Sequence, residues 1–200
     1  MVELNEIELK LKDILSQKRY NHCLNTEKLA SFLARHYVVE PHKVRIAALL
    51  HDCAKDLSDE LLKDYLKKYE IILDELESKE KQLWHAPVGM VLAQEKFGIT
   101  DKEILRAIRI HPTLDKNSST LEKIVYVADY MEYMKSNGEE KSYQRLKNIA
   151  ITELGIVTFW IINFKILDIL KSNGSIHPRS IEARNELIDT LQDKIKYYDI

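Results

Sequence analysis

Apolar residues recur at helical spacing along almost the whole chain, and this pattern leaves little room for other secondary structure. In residues 3–16, for example, Leu4, Ile7, Leu11 and Leu15 fall on one face of a helix. The 200-residue chain contains only five glycines and four prolines, the residues that disfavour helices most strongly. No hairpin signal or internal repeat interrupts the pattern. The sequence therefore predicts an all-α fold.

Capping residues set the bounds of the other segments. The predicted helices cover residues 19–36, 41–54, 59–68, 84–98, 100–111, 119–135, 142–172 and 178–196, with one or two short helices between residues 70 and 84. Ser58 is expected to cap one of them, and Gly98 is expected to end another. Capping boxes are predicted at Thr100-x-x-Glu103 and Ser119-x-x-Glu122. The segment 142–172 is predicted as one long helix with a kink near Gly155.

Length, charge and hydropathy narrow the class of protein. Two hundred residues fit one domain, and the formal net charge of −2 excludes a chain-wide basic field for nucleic acid. The longest apolar run, residues 155–170, is too short and too charged to span a membrane, and the acidic N-terminus is not a signal peptide. These features predict a cytoplasmic protein with no nucleic-acid or membrane partner. Cys23 and Cys53 are predicted as buried thiols rather than a disulfide.

The pair His51-Asp52 follows a small apolar helical run, and Lys55 lies three residues after the aspartate. Histidine and aspartate are ligands for divalent cations. Neighbouring side chains on a helix point about 100° apart, so a single ion does not easily take both in ideal geometry. Two ions do so if the carboxylate bridges them, provided that the rest of the chain supplies further ligands.

Further candidate ligands occur at intervals along the chain. Three more histidines, His22, His85 and His111, fall at or near predicted helix ends. Asp129 lies within an apolar helix, where burying an unpaired carboxylate costs several kcal/mol, so it needs a strong partner such as a metal ion. A single histidine on a helix is more often a core or surface residue, and the remaining three are interpreted that way first: His36, His42 and His177.

Taken together, His22, His51-Asp52, His85, His111 and Asp129 resemble the HD-domain superfamily of metal-dependent phosphohydrolases. Nearly the whole chain is also similar to the bacterial YqeK family, helical enzymes that cleave dinucleoside tetraphosphates symmetrically, such as diadenosine tetraphosphate to two ADP. The motifs that carry this narrower resemblance are Arg19-Tyr20-x-His22, His51-Asp52-x-x-Lys55, Ala107-Ile108-Arg109-x-His111, Leu121-Glu122-Lys123-Ile124, Ala128-Asp129-Tyr130-x-Glu132, Ile176-His177-Pro178 and Ala183-Arg184-Asn185.

The resemblance implies an HD-domain helical bundle with additional C-terminal helices. Residues 1–200 would form a single phosphohydrolase domain. Its metal-binding core would lie within residues 17–135, and residues 142–200 would complete the fold and the nucleotide pocket. A homodimer through apolar surface on the first or last helix is left open.

The resemblance also implies a site for two divalent ions. One ion would be bound by His22, His51, Asp52 and Asp129, and the second by Asp52, His85 and His111, with Asp52 as the bridge. Family practice points to iron, and manganese, nickel or cobalt also suit these ligands. A hydroxide shared by the two ions would attack a phosphorus atom of the polyphosphate.

Asp52 and Lys55 are expected to be catalytic by the same resemblance. The substrate contacts would be Arg19, Lys55, Arg109, Thr113, Lys135, His177 and Arg184. For the cationic side chains a solvated surface position is the competing interpretation, and for Arg109 a role in orienting a carboxylate is equally open. The chain departs from the family at Pro112-Thr113-Leu114, where Thr-Thr-Gly is usual, and at Lys135, where arginine is usual.

Two other functions compete with symmetrical tetraphosphate cleavage. A mononuclear HD nucleotidase or alarmone hydrolase would use a single ion, and His85 and His111 would then be phosphate contacts or spectators. A non-catalytic nucleotide sensor on the same fold would fit the altered segment after His111 and the acidic residues 136–140. The number of bound ions and the reaction products distinguish these alternatives.

Overall fold

The computed structural model describes residues 3–198, and every regular element within that range is helical. The α-helices are α1 Leu4–Ile14, α2 Gln17–Ala34, α3 Pro41–Leu50, α4 Asp59–Lys68, α5 Glu75–Lys79, α6 His85–Phe97, α7 Lys102–Ile110, α8 Thr120–Ser136, α9 Glu140–Ala150, α10 Leu154–Lys171 and α11 Pro178–Ile195. A 3₁₀ helix, Lys81–Leu83, lies between α5 and α6. The predicted all-α fold is confirmed, including the short helices between residues 70 and 84.

Helices α2, α3 and α8 form the centre of the bundle. α2 packs against both of the others, and α7 packs against α3 and α8. The small side chains Ala47 and Ala48 are fully buried on α3 beside Leu49 and Leu50, so neighbouring helices approach closely. Each buried leucine contributes about 1.5–3 kcal/mol of apolar transfer free energy. This packing holds the C-terminal end of α3 rigidly in the interior.

Three candidate ligands lie where helices begin or end. α3 ends at Leu50 rather than near Ala54 as predicted, and His51 is its C-terminal cap. Residues 51–56 form turns, in which the amide of Lys55 donates to the carbonyl of Asp52. α7 likewise ends just before His111, and α6 begins at His85. These helix ends therefore direct three imidazole rings into one region.

The predicted long helix over residues 142–172 is wrong, because the structure has two helices, α9 and α10, separated by residues 151–153. Tyr37 bridges the break: its hydroxyl donates to the carbonyl of Ala150 and accepts from the amide of Leu154 at 2.9 Å. A distant side chain thus satisfies backbone groups that a continuous helix would pair internally. Gly155 lies in the first turn of α10, where a Cβ atom would approach Leu191 to 3.0 Å.

Most of the predicted helix caps are confirmed. Ser58 caps α4, Gly98 ends α6 in the left-handed region with φ 68°, and Ser119 forms the predicted capping box on α8. The box at Thr100 is wrong, because Asp101 is the N-cap of α7 and accepts from the amides of the second and third helical residues. The carboxylate of Asp101 can accept both of these hydrogen bonds. The hydroxyl of Thr100 lies one residue earlier in the chain and is less well placed to accept them.

One buried apolar cluster includes side chains from every α-helix except α5. α10 packs against α8, α9 and α11, and so covers the side of α8 that carries Asp129. The division into a metal-binding core, residues 17–135, and completing C-terminal helices, residues 142–200, stays a prediction. In the described range, no helix is long and apolar enough to cross a membrane.

Candidate metal centre

A cavity of about 810 Å³ lies between the central bundle and the C-terminal helices. One wall is built by α2, the turns after α3 and α7, the start of α6, and α8. The other wall is built by α10 and the segment that leads into α11. The cavity contacts five of the six predicted ligands, His22, Asp52, His85, His111 and Asp129, and the sixth, His51, is fully buried beneath them.

The first group of ligand atoms comes from His22, His51 and Asp129. The Nε2 atoms of the two histidines lie 3.1 Å apart. Oδ1 of Asp129 lies 3.1 Å from Nε2 of His22 and 3.5 Å from Nε2 of His51. These three residues form one of the groups whose donor atoms are close enough together to share an ion.

The second group comes from His85 and His111. Their Nε2 atoms lie 3.2 Å apart, at 3.3 Å and 3.4 Å respectively from Oδ1 of Asp52. His51, Asp52 and His111 also have donor atoms close enough together to share an ion, so His51 belongs to both clusters of donors. The two groups are therefore contiguous.

Asp52 joins the two groups because its two oxygens face different sides. Oδ1 faces His85 and His111, whereas Oδ2 lies 3.6 Å from Nε2 of His51 and 3.8 Å from Nε2 of His22. Oδ2 also accepts a hydrogen bond of 2.6 Å from Arg19. Oδ1 is buried and accepts no hydrogen bond from any residue in the described range.

These donors fit divalent cations. A buried carboxylate oxygen without a hydrogen-bond donor is costly unless a cation is its partner. Two ligand atoms that bind one ion at about 2.1 Å in neighbouring octahedral positions lie about 3.0 Å apart, close to the spacing within each histidine pair. Imidazole and carboxylate donors together suit iron, manganese, cobalt and nickel.

In His51, His85 and His111, a hydrogen bond at Nδ1 determines that Nε2 faces the ligand cluster. Nδ1 of His51 lies 2.7 Å from the carbonyl oxygen of Ala48. Nδ1 of His85 lies 2.7 Å from that of Gln82, and Nδ1 of His111 lies 2.8 Å from that of Ile108. In each case the carbonyl belongs to the third residue before the histidine. Because Nδ1–H donates to this oxygen, the lone pair of Nε2 points to the ligand cluster.

In His22, the acceptor for Nδ1 is a side-chain carboxylate rather than a backbone carbonyl. Its Nδ1 donates to Oε2 of Glu132, one turn beyond Asp129 on α8. The hydroxyl of Ser136 donates to the other oxygen of Glu132 at 2.8 Å, and the amide of Asn25 does so at 3.4 Å. Glu132 is 7% exposed. It is a candidate functional residue that the sequence-based ligand set lacked, although its position three residues after Asp129 is the spacing of one helical face.

The electrostatics of the cluster favour a cation. Burial raises the pKa of Asp52 and Asp129, but the neighbouring histidines outweigh it and hold both pKa values well below their ordinary range. Burial lowers the pKa of His85 and His111, which therefore stay neutral. Burial also lowers the pKa of His22, but hydrogen bonds with Asp129 and Glu132 raise it to about 9. Anionic carboxylates beside the neutral imidazoles of His85 and His111 are protonation states that a metal needs, whereas a metal bound by His22 would displace the proton that its raised pKa keeps at neutral pH.

Four of the predicted substrate contacts line the cavity. Nζ of Lys55 lies 3.3 Å from Nε2 of His85, and burial lowers the pKa of this lysine. Arg19 pairs with Asp52 and lies 3.9 Å from Asp56. Thr113 and His177 also contact the cavity. The role of these four residues as substrate contacts stays a prediction.

Three other predicted contacts, Arg109, Lys135 and Arg184, do not line the cavity. Arg109 donates through both terminal nitrogens to Glu77, with Nη2 at 2.7 Å, so the alternative role of orienting a carboxylate fits its position. Lys135 lies over the ring of Tyr143 at 5.2 Å. Arg184 donates to Asn163. These partners lie outside the cavity lining, and direct nucleotide contact by the three residues stays a prediction.

His177 belongs to a charge network at the start of α11. Its Nε2 lies 3.0 Å from Oδ2 of Asp74, which also accepts from Arg179 at 2.5 Å. Asp74, Glu77 and His177 have donor atoms close enough to share an ion. Arg109 and Arg179 already neutralise the two carboxylates, so the group acts as an anchor between α5 and α11.

Comparison with known proteins gives consistent results. The HD domain family matches residues 19–134. The chain is 32% identical over 184 residues to a symmetrical bis(5'-nucleosyl)-tetraphosphatase of Halalkalibacterium halodurans, covering 89% of this chain and 93% of the relative. It is also 32% identical over 178 residues to the protein of the same name in Bacillus subtilis, covering 89% and 94%.

A solved structure is similar over almost the full length. It is a crystal structure from Clostridium acetobutylicum of a protein described as a predicted HD superfamily hydrolase involved in NAD metabolism. The TM-score is 0.86 at 34% sequence identity, and the match covers 95% of this chain and 99% of that one. The family match, the similarity to named hydrolases and the His/Asp cluster agree with one another. The chain belongs to the HD-domain superfamily of metal-dependent phosphohydrolases, and within it to the YqeK family.

Proposed function

We propose that this protein is a dinuclear-metal phosphohydrolase that cleaves dinucleoside tetraphosphates symmetrically, converting diadenosine tetraphosphate to two ADP. The observation that carries the proposal is the division of the two oxygens of Asp52 between two groups of imidazole nitrogens. The names of the relatives in Halalkalibacterium halodurans and Bacillus subtilis support the substrate. The cavity of about 810 Å³ is at the large end of ligand pockets, which suits a substrate with two nucleosides.

The two metal sites share Asp52. His22, His51, Asp52 and Asp129 would hold one divalent ion, and Asp52, His85 and His111 would hold the other. Iron is the metal that we propose, and manganese, nickel or cobalt would bind the same donors. Two bound ions would lower the pKa of a shared water toward neutrality and draw charge from the non-bridging phosphate oxygens.

The protein side chains would position the polyphosphate for in-line cleavage. Lys55 projects into the cavity beside His85 and would neutralise charge that develops on the phosphate oxygens. Arg19 already donates a hydrogen bond to Oδ2 of Asp52, so its contact with substrate would be secondary. Thr113 contacts the cavity next to His111 and would lie beside the phosphate chain.

Metal analysis and product chromatography on anaerobically purified protein test the proposal. We expect close to two ions per chain and, from diadenosine tetraphosphate, ADP as the only nucleotide product. AMP with ATP, or no reaction by metal-loaded protein, would contradict symmetrical cleavage. A metal content near one ion per chain with full activity would instead indicate the mononuclear alternative.

Asp52→Ala tests the bridging role. Removing both carboxylate oxygens takes away a ligand from each ion, so we expect loss of metal binding and a fall in turnover of at least about a thousandfold. Asp189→Ala is the matched control, since Asp189 is exposed on α11 and the net charge changes equally. Activity that survives in the Asp52 variant would refute the proposed site.

A further inference from the structure

Lys165 lines the cavity and has no role in the mechanism proposed above. Lys165 projects from α10 into the wall that faces the metal centre. Its Nζ donates to the carbonyl of Pro112 at 3.2 Å and lies 4.3 Å from the ring centroid of Tyr126. Tyr126 is one helical turn before Asp129 on α8. The ammonium group is thus held beside the metal centre by a carbonyl and an aromatic face.

No residue in the range 3–198 forms a carboxylate ion pair with Lys165, nor with Lys55. Two arginines near the cavity do have such partners: Arg19 pairs with Asp52, and Arg109 with Glu77. A partly buried ammonium group with no carboxylate at ion-pair distance is costly to maintain, and the more distant charges of Asp52 and Asp129 offset only part of the burial that lowers the pKa of both lysines. An anionic ligand in the cavity would offset that cost, and both lysines contact the cavity.

The two lysines lie on different walls. Lys55 comes from the turn after α3, and Lys165 comes from α10. Among the residues that line the cavity, Lys165 is the only lysine or arginine from the C-terminal wall, since Lys18, Arg19 and Lys55 all belong to the central bundle. The polyphosphate chain would therefore lie between cations from both sides.

Contacts on both halves of the phosphate chain would favour cleavage at its centre. The scissile bond has two phosphates on each side, and both product halves keep two. A cation on one wall alone would position only one half at the metal ions. Because charged hydrogen bonds to phosphate are stronger than neutral ones, a lysine on each wall would place the central bond between the halves.

We propose that Lys165 binds the phosphate chain of the substrate on the wall opposite Lys55 and thereby positions the central phosphoanhydride bond at the metal centre. The proposal rests on the proposed tetraphosphatase function. It makes Lys165 a substrate-binding residue contributed by α10, outside the segment that carries the metal ligands. The competing role is structural, because the ammonium group also satisfies the Pro112 carbonyl after the end of α7.

Calorimetric binding of a non-hydrolysable diadenosine tetraphosphate analogue, with a methylene group at the central bridge, tests the proposal. Lys165→Met should weaken binding by about 10- to 100-fold, because one charged hydrogen bond to phosphate is lost. Lys165→Arg should recover much of the affinity. Lys171→Met is the matched control, since Lys171 is on the same helix but exposed and outside the cavity, and its affinity should equal that of the wild type.

Metal content and thermal unfolding without ligand separate the two roles of Lys165. We expect the Lys165→Met protein to keep its metal content and to unfold near the temperature of the Lys171→Met control. Unchanged analogue affinity in Lys165→Met, with or without a lower unfolding temperature, would overturn the proposal and leave the tetraphosphatase function intact. A wild-type protein that does not bind the analogue would overturn both.

Discussion

Glu132 accepts a hydrogen bond from Nδ1 of His22 and so holds the ring in the orientation that the proposed metal centre would need. The other three ligand histidines direct Nδ1 to backbone carbonyls near helix ends. His22 lies within α2, where the carbonyls are used by the helix itself, so a carboxylate from α8 takes their place. The same interaction adds negative charge beside a ligand that must bind a cation. The single residue Glu132 thus affects both the orientation of the His22 ring and the electrostatic potential beside it.

Glu132→Gln should reduce metal affinity by about 10-fold or more, because outer partners of ligand histidines typically contribute that much. Gln keeps an acceptor for Nδ1–H but removes the charge. Titration with Mn²⁺ in competition with a chromogenic chelator measures the change. Glu6→Gln, at an exposed position of α1, is the control. Equal affinity in the variant and the wild type would show that Glu132 has no influence on the metal.

At the scale of elements, ion pairs connect helices that are far apart in the sequence. Glu77 on α5 pairs with Arg109 on α7 and lies 3.2 Å from Arg179 on α11. Asp74, the N-cap of α5, pairs with Arg179 as well. This network fixes α5, whose residue Leu76 lines the cavity. The arginine at position 109 therefore acts on the cavity through the placement of a helix.

Glu77→Gln should destabilise the protein in a pH-dependent way. Burial raises the pKa of Glu77, but Arg109 outweighs it and holds the pKa below its ordinary value. A depressed pKa contributes stability above the pKa of the unfolded chain, and this stability is lost as the pH falls through the folded-state value. We expect a loss of about 2 kcal/mol at pH 7 that narrows below about pH 4.

Urea unfolding across this pH range measures the effect. Glu75→Gln is the control on the same helix, because Glu75 is 87% exposed at its side chain and an exposed pair contributes little. A difference between the Glu77→Gln protein and the wild type that stays constant from pH 7 to pH 3 would show that the carboxylate charge is not the cause.

On the scale of the whole molecule, the ligands come from parts of the chain that only the fold brings together. They extend from residue 22 on α2 to residue 129 on α8. A bound ion would connect these elements in the folded state, and the unfolded chain would not hold them together. Metal binding and folding are therefore coupled, and the metal should stabilise the protein as well as support catalysis.

Removing the metal with a chelator should lower the unfolding temperature by about 5–10 °C, since a ligand at 100 times its dissociation constant contributes about 2.7 kcal/mol. Adding Mn²⁺ should restore it. Scanning calorimetry on the wild type and on Asp52→Ala measures the effect, and the variant should show no metal-dependent change. A wild-type protein that loses its metal yet unfolds at the same temperature would contradict this coupling.

Much of this protein is determined by local sequence. Apolar spacing predicts the helices, and residues such as Ser58, Gly98 and Ser119 set their ends through bonds to neighbouring backbone groups. The proposed ligands are also identified from residue type and motif. Helix formation and capping depend on groups within a few residues of one another, so they can be read directly from the order of amino acids.

Only the tertiary structure decides which distant groups meet. The break between α9 and α10 depends on Tyr37, more than a hundred residues away. The division of the oxygens of Asp52, the contact of Glu132 with His22 and the position of Lys165 in the cavity all depend on how α2, α3, α8 and α10 pack. Which charged side chains pair with each other depends on how whole helices pack, and a local sequence pattern does not predict that pairing.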